Sequence, residues 1–275
     1  MSEFTMDDGT AARLATDLEE IARAAGAVLM THLGRLGRDD VDFKGRRDLL
    51  TIADRESEAL IVAEIARRHP DHAILAEEAS AGGALRRPDA EWTWIVDPLD
   101  GTTNFVHQVP MFAVSIGVVR AGVPVAGCIF APRLDELFLG VAGRGAFLNG
   151  VPIRCGGGST LEDDLLATGF AYRMDAATDD NLAHFCRLVK KARAVRRCGS
   201  AALDLAYVAA GRFGGFWEFD LSPWDVAAGA ALVRAAGGLV TDVAGGDDWL
   251  FGRSIAAAHS GLHPRLLDEL AAGRG

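Results

Sequence analysis

The 275-residue chain has no apolar stretch long enough to cross a bilayer. The longest, residues 112–119, falls far short of the roughly 20 residues a spanning helix needs. An excess of positive charge is also missing. Lys and Arg number 28 against 38 Asp and Glu, a net charge of −10, which argues against blanket binding to nucleic acid or to an anionic membrane. Cysteine is scarce. Cys128, Cys155, Cys186 and Cys198 lack zinc-type spacing, so a reduced, cytoplasmic protein is expected. The seven histidines assemble neither a triad nor a zinc motif. The acidic start, MSEFTMDDGT, has no apolar centre and does not read as a signal peptide. No fixed-period repeat or low-complexity segment stands out.

What is present is an ordinary folded composition, 49% hydrophobic and 24% charged. It suits one large domain or two intimate halves around a sizeable core. Helical spacing predicts helices over residues 11–33 and 51–68, the second with Thr51 as N-cap. Short strands are expected at 73–76 and 92–96, with an exposed loop, SAGGALRRPD, between them. The middle is strand-rich: 112–120 and 123–130 flank the turn signal Ala121-Gly122, and 136–141 and 145–147 lead to Asn149-Gly150. After Gly156-Gly157-Gly158 the pattern alternates. Strands are predicted at 165–168, 194–197, 214–219, 238–241 and 255–258, and helices at 181–191, 200–210, 223–236 and 264–271. This divides the chain into an α+β half, residues 1–155, and an α/β half, residues 156–275, packed as one unit.

Chemistry concentrates in WTWIVDPLDGTTNF, residues 92–105. An apolar strand ends in Asp97, followed by Asp100-Gly101-Thr102-Thr103. Ligands of α/β proteins gather at strand ends. Pro98 offers no N–H, Gly101 lets backbone approach a ligand, and the amides of Thr102 and Thr103 would face a phosphate if a helical turn begins there. Two chemistries fit: Asp97 as a nucleophile taking a phosphoryl group, or both aspartates as metal ligands beside an activated water. A second acid, Asp225 in PWDVAAG, falls at a predicted helix N-terminus, where a carboxylate also suits the helix dipole. Glu77 follows another apolar run, and Asp54 lies in DLLTIAD. Each is weak alone. Two negative charges about 4 Å apart repel by roughly 4 kcal/mol at an effective dielectric near 20. A cluster of Glu77, Asp97, Asp100 and Asp225 therefore calls for cations, and all-oxygen ligands select Mg²⁺, Mn²⁺ or Ca²⁺. Paired ions of that kind clamp a phosphate and activate a water.

DPLDGTTNF and WDVAAG resemble the two signatures of the inositol monophosphatase family, and DLLTIAD, AEE, GRGAFLNGVPI, RRCGSAALDLAYVAAGRF and GFWEFDLSPWD are similar to its other blocks, in its order. The resemblance implies an αβαβα sandwich of five layers, of the sugar-phosphatase type, and Mg²⁺-dependent, Li⁺-sensitive hydrolysis of a phosphate monoester of a small polyol. It implies that Glu77, Asp97, Thr102 and the carbonyl of Leu99 bind a first Mg²⁺, and that Asp97, Asp100 and Asp225 bind a second. A third ion would use Glu77. Thr102 and Asp54 would take the proton of the attacking water. The amides of Gly101, Thr102 and Thr103 would hold phosphate. Gly199, Ser200 and Ala201, with Glu218 and Asp225, would meet the alcohol, since a carboxylate such as Glu218 can accept hydrogen bonds from two hydroxyls.

The leading substrate is myo-inositol 1-phosphate. Fructose 1,6-bisphosphate, histidinol phosphate and a 3′-phosphoadenosine nucleotide are the alternatives. A regulatory partner-binding protein with secondary phosphatase activity is the competing class, and the family suggests a homodimer. The spacing of Lys44 to Asp48 is one residue short of animal members, which leaves Arg46 and Arg47 as alternatives to Lys44. Ser222 stands where animal members carry a histidine.

Overall fold

The computed structural model describes residues 6–37, 41–43, 49–80, 87–158, 160–171 and 179–272. Lys44, Arg46, Arg47 and Asp48 lie outside the described residues, as does most of the predicted loop at 80–89.

Two helices open the chain, α1 (Asp8–His32) and α2 (Ile52–Arg68). Asp7 caps α1 by accepting from the Thr10 amide at 2.9 Å. Thr51 caps α2 in a capping box with Asp54, satisfying backbone donors that a helix leaves open at its start. Between them, β1 (Val41–Phe43) and β2 (Leu49–Thr51) form a small antiparallel pair that the sequence pattern did not reveal. A strand of three residues is too short to show a period.

The strand-rich middle builds a seven-stranded sheet. Its members are β3 (Ala73–Ala76), β4 (Trp92–Asp100), β5 (Ala113–Arg120), β6 (Val123–Ala131), β7 (Glu136–Val141), β8 (Gly145–Leu148) and β9 (Val151–Ile153), side by side in that order. Only β3–β4 is parallel. Both predicted turns form, with positive φ at Ala121-Gly122 and at Asn149-Gly150, as type I′ hairpins require. A short helix, α3 (Thr102–Val106), follows β4.

The remaining chain makes a five-stranded sheet in the order β11 (Ala194–Arg196), β10 (Leu165–Thr168), β12 (Gly215–Phe219), β14 (Ser254–His259), β13 (Gly238–Thr241). It is mixed: β10 pairs in parallel with β11 and β12, while β14 runs antiparallel to both neighbours. Helices α4 (Leu182–Leu188), α5 (Ala201–Ala209), α6 (Pro223–Ala235) and α7 (His263–Ala271) complete the chain. The helix predicted over 181–191 is shorter: Asn181 adopts a left-handed conformation at φ 64° before it starts, and past its end the Lys190 and Lys191 amides bond three residues back, to Arg187 and Leu188, as in turns.

Three apolar cores separate five layers. One lies between α1, α2 and the large sheet, with Leu18, Ile21, Ile61, Trp94 and Ile116. A second joins the large sheet through α5 and α6 to the small sheet, with Ile95, Ile129, Leu205, Leu232 and Phe216. The third seats α7 on the outer face of the small sheet, with Trp217, Leu262 and Leu266. The αβαβα sandwich is thus the observed architecture.

Glycines set how closely α6 lies on the large sheet. A Cβ on Gly127 would stand 2.4 Å from the Ala228 carbonyl oxygen, and one on Gly117 would stand 2.8 Å from the Ala228 nitrogen. These neighbours are helix backbone and cannot swing aside, so Gly127→Ala is expected to cost about 1–3 kcal/mol. Urea unfolding should show a lower midpoint with an unchanged slope. Gly156→Ala, which would meet nothing within 4 Å, is the control.

Candidate active site

The expected strand end at Val96 is not where β4 stops. β4 runs on to Asp100, so both aspartates belong to the strand. Residues three apart on a regular strand point to opposite faces. Here Asp97 pairs with Ser115 and Asp100 with Ala113, so β4 carries one residue more than β5. That bulge falls on Pro98-Leu99 and turns Asp100 back toward Asp97's side. Pro98 suits the bulge because it has no N–H to leave unpaired. The Leu99 amide, free of the ladder, donates to Asp97 Oδ1 at 2.9 Å.

Chain reversal follows at once. Gly101 has φ 90°, and a Cβ there would meet the Met111 carbonyl oxygen at 2.8 Å, so glycine is required. α3 then begins, and the amides of Gly101, Thr102 and Thr103 form its first turn, where helix N–H groups lack intrahelical partners. Thr102 Oγ1 lies 3.1 Å from the Leu99 carbonyl and 3.3 Å from Asp54 Oδ1. The other Asp54 oxygen is held by the Thr51 amide at 2.8 Å and the Thr51 hydroxyl at 2.6 Å. The capping box of α2 thereby aims Asp54 at Thr102. Ser57, one turn on, donates to the Pro98 carbonyl at 3.0 Å and ties α2 to the bulge.

The second half supplies the rest. Asp225 sits in the first turn of α6, with one oxygen accepting from the Ser222 amide at 2.7 Å. Asp100 Oδ2 accepts from Ser200 Oγ at 2.6 Å and from the Ala202 amide at 2.7 Å, at the start of α5. That helix end favours a negative charge. Asn104 joins the same seam: its amide reaches the Met111 carbonyl at 2.6 Å and the Cys198 carbonyl at 2.9 Å. Glu77 follows β3, its amide bonded to the Val96 carbonyl at 3.1 Å. The segment after it is fastened by Glu58, which accepts from the amides of Glu78 and Ala79.

Electrostatics brings these acids into one site. Asp97, 2% exposed, has its pKa pushed well up by burial, then by Glu77, Asp100 and Asp225. Burial raises Asp225 in the same way, helped by Asp100 and Glu77. For Asp100 burial also dominates, but the Ser200 and Ala202 bonds oppose it and hold the value to about 6. Among the described residues, no Lys, Arg or His is a leading cause of the shifts of Asp97, Asp100 or Asp225. Among the described residues, no three His, Cys, Asp or Glu side chains already enclose one point as ligands of an ion would. The donor chemistry nonetheless fits a hard divalent cation: crowded carboxylates, with a carbonyl and a hydroxyl beside them. A cavity of about 210 Å³ among Arg87, Thr93, Ile95, Val119 and Phe251 includes none of these acids, so the site is identified by charge and hydrogen bonding.

Glu218 on β12 belongs to the same electrostatic neighbourhood. Burial lifts it to about 8, Asp204 and Asp100 add to the rise, and Arg197 offsets part of it. Gly199 has φ 85°, and Ala201 opens α5. Ser200 is 2% exposed and its hydroxyl is committed to Asp100, so contact with an alcohol from this residue would fall to its backbone. Ser57, Asn104, Gly169, Asn181 and Asp204 were not singled out from sequence. Only Asn104 had a signal, its place inside the quoted motif. His107 is exposed at the end of α3, and Arg196 is exposed on the edge strand β11.

A model of the inositol monophosphatase family matches residues 11–273. An inositol-1-monophosphatase from Mesorhizobium japonicum is 43% identical over 248 residues, covering 90% of this chain and 92% of that protein. A Nus factor SuhB from Pseudomonas aeruginosa is 44% identical over 253 residues, with coverage of 90% and 92%. Among solved structures, the inositol monophosphatase from Anabaena (Nostoc) sp. PCC 7120 aligns with a TM-score of 0.85 at 44% identity, covering 95% of this chain and 96% of that one.

The raised carboxyl values carry a prediction. A folded-state pKa above the unfolded value means the native protein holds more protons, so stability falls as pH rises through the window between them. For Asp100 that window runs from the ordinary 3.8 to about 6, and for Glu218 from 4.5 to about 8. In chelator, the melting temperature should drop between pH 5 and pH 8. Added Mg²⁺ should raise it, and by more at pH 8 than at pH 5. A Mg²⁺ effect that is flat or larger at pH 5 would contradict this.

Proposed function

Because this chain belongs to the inositol monophosphatase family, and so to the phosphoric monoester hydrolases, we propose that it is a Mg²⁺-dependent phosphatase of a small polyol phosphate, with myo-inositol 1-phosphate as the leading substrate. The observation that carries the reading is the convergence of Asp97, Asp100 and Asp225 with Glu77: burial and the neighbouring acids raise the pKa of all three aspartates.

In this reading Glu77, Asp97, Thr102 and the Leu99 carbonyl hold one Mg²⁺, and Asp97, Asp100 and Asp225 hold another. When bound, such ions offset the charge of the phosphate and lower the pKa of a water. The chain's own groups do the rest. The amides of Gly101, Thr102 and Thr103 orient the phosphate at the start of α3. Asp54, anchored through Oδ2, presents Oδ1 beside Thr102 and takes the proton of the attacking water. Asp97 serves as a ligand and not as a nucleophile. Its Oδ1 already accepts from the Leu99 amide, and two residues, Pro98 and Leu99, separate it from Asp100 where an aspartyl-nucleophile loop has one. Glu218 and Asp225 receive the hydroxyls of the alcohol. The family's homodimer is part of the same reading.

A second reading keeps some support. A relative of similar identity is called Nus factor SuhB, so binding of a protein partner beside phosphatase activity stays in play.

Phosphate release tests the first reading. Inositol 1-phosphate, fructose 1,6-bisphosphate, histidinol phosphate and adenosine 3′,5′-bisphosphate are assayed with and without Mg²⁺. Inositol 1-phosphate should give the highest kcat/KM, and activity should vanish in chelator. Asp97→Asn and Asp225→Asn should each lose about a hundredfold or more. Near-wild-type turnover in either variant would rule out the ligand assignment. A phosphorylated Asp97 trapped during turnover would restore the nucleophile.

A further inference from the structure

Glu218 is held in place by an unusual neighbour. A Cβ built on Gly169 would lie 2.2 Å from both carboxylate oxygens of Glu218. The carboxyl group therefore rests against the bare α-carbon of Gly169, and any other residue there would displace it. Gly169 directly follows β10, which pairs in parallel with β12, the strand that carries Glu218. The last paired residues are Thr168 and Trp217, one before each of these two. Beyond that pair, the strand ladder no longer fixes their separation.

Asn181 takes over at that point. Its Nδ2 donates to the Gly169 carbonyl at 2.7 Å and to Thr168 Oγ1 at 2.8 Å. Its Oδ1 accepts from Trp217 Nε1 at 2.7 Å. Thr168 Oγ1 in turn donates to the Trp217 carbonyl at 2.6 Å. Both amide donors and the amide oxygen are used, at a residue 1% exposed. Asn181 precedes α4, yet its side chain makes no capping bond to that helix. The amide serves β10 and β12. Its left-handed backbone, at φ 64°, is one that Asn tolerates better than most residues.

We propose that Asn181 is a positioning residue for alcohol recognition: by clasping Gly169, Thr168 and Trp217, it fixes the gap in which the Glu218 carboxylate lies against Gly169. The inference rests on the reading above, in which Glu218 receives the substrate's hydroxyls. A loosened clasp lets the carboxylate shift, weakening contact with a polyol while leaving the acids around Asp97 untouched.

Asn181→Gly keeps the left-handed backbone and deletes the clasp. Thr168→Val, nearly isosteric, removes one corner and serves if the first variant fails to fold. Both are assayed against phenyl phosphate, which has no hydroxyl to recognise, and against the panel polyol phosphate that the wild type hydrolyses fastest. The expected result is a KM for the polyol phosphate raised about three- to tenfold with kcat changed less than twofold. Kinetics with phenyl phosphate should be unchanged. In a Glu218→Gln background the Asn181 substitution should add nothing further, since both act on one contact. Equal loss on both substrates, or additive effects in the double variant, would overturn the inference and leave the phosphatase reading standing. A wild type inactive on every polyol phosphate would overturn both.

Discussion

Carboxylates buried side by side cannot all be charged unless something positive lies among them, and this fold is arranged around that constraint. Asp97, Asp100 and Asp225 come from two separate halves of the chain, and among the described residues none is paired with a Lys, Arg or His. Each is held by neutral donors instead: the Leu99 amide, Ser200 with the Ala202 amide, and the Ser222 amide. These bonds fix the oxygens in space and supply only part of the stabilisation a negative charge needs. Protons can supply the remainder, or a divalent cation.

The site depends on the seam between layers. The large sheet brings Asp97 and Asp100 on one bulged strand. The helices of the next layer bring Asp225 at the start of α6 and the donors for Asp100 at the start of α5. Close packing of α6 on β5 and β6, allowed by Gly117 and Gly127, keeps that approach short. Asn104 crosses the same seam to the Cys198 carbonyl. Glu218 sits one layer further, on the small sheet, and owes its position to Gly169 and the hydrogen bonds around Asn181.

Much of this was legible in the sequence. Periodicity and turn residues located the helices and nearly every strand, and the hairpins at Ala121-Gly122 and Asn149-Gly150 have the positive φ values their residues suggested. The motif DPLDGTT pointed to Asp97, Asp100 and Thr102, while Glu77, Asp54 and Asp225 were weak alone and were joined to them through the family resemblance. What the sequence did not reveal is long-range or very local. A strand over 92–96 was expected to end at the first aspartate, whereas β4 continues to Asp100, because a bulge has no signature beyond a proline that equally suits a loop. Asn181 read as the start of a helix. Its actual partners, Gly169, Thr168 and Trp217, lie 12 to 36 residues away and carry no spacing that would link them. Ser200 read as a substrate contact, and the bond from its hydroxyl to Asp100 carried no signal in the sequence.

Proton release on cation binding tests the central constraint most directly. Calorimetric titration of Mg²⁺ into the chelated protein near pH 6, repeated in buffers of different ionisation enthalpy, counts the protons expelled as the ion binds. The account predicts net release at pH 6, diminishing toward pH 8 as Asp100 and Glu218 ionise without the ion's help, and reduced release in Asp97→Asn. Binding with no proton release at either pH would mean that the acids are already ionised together, and would contradict the account.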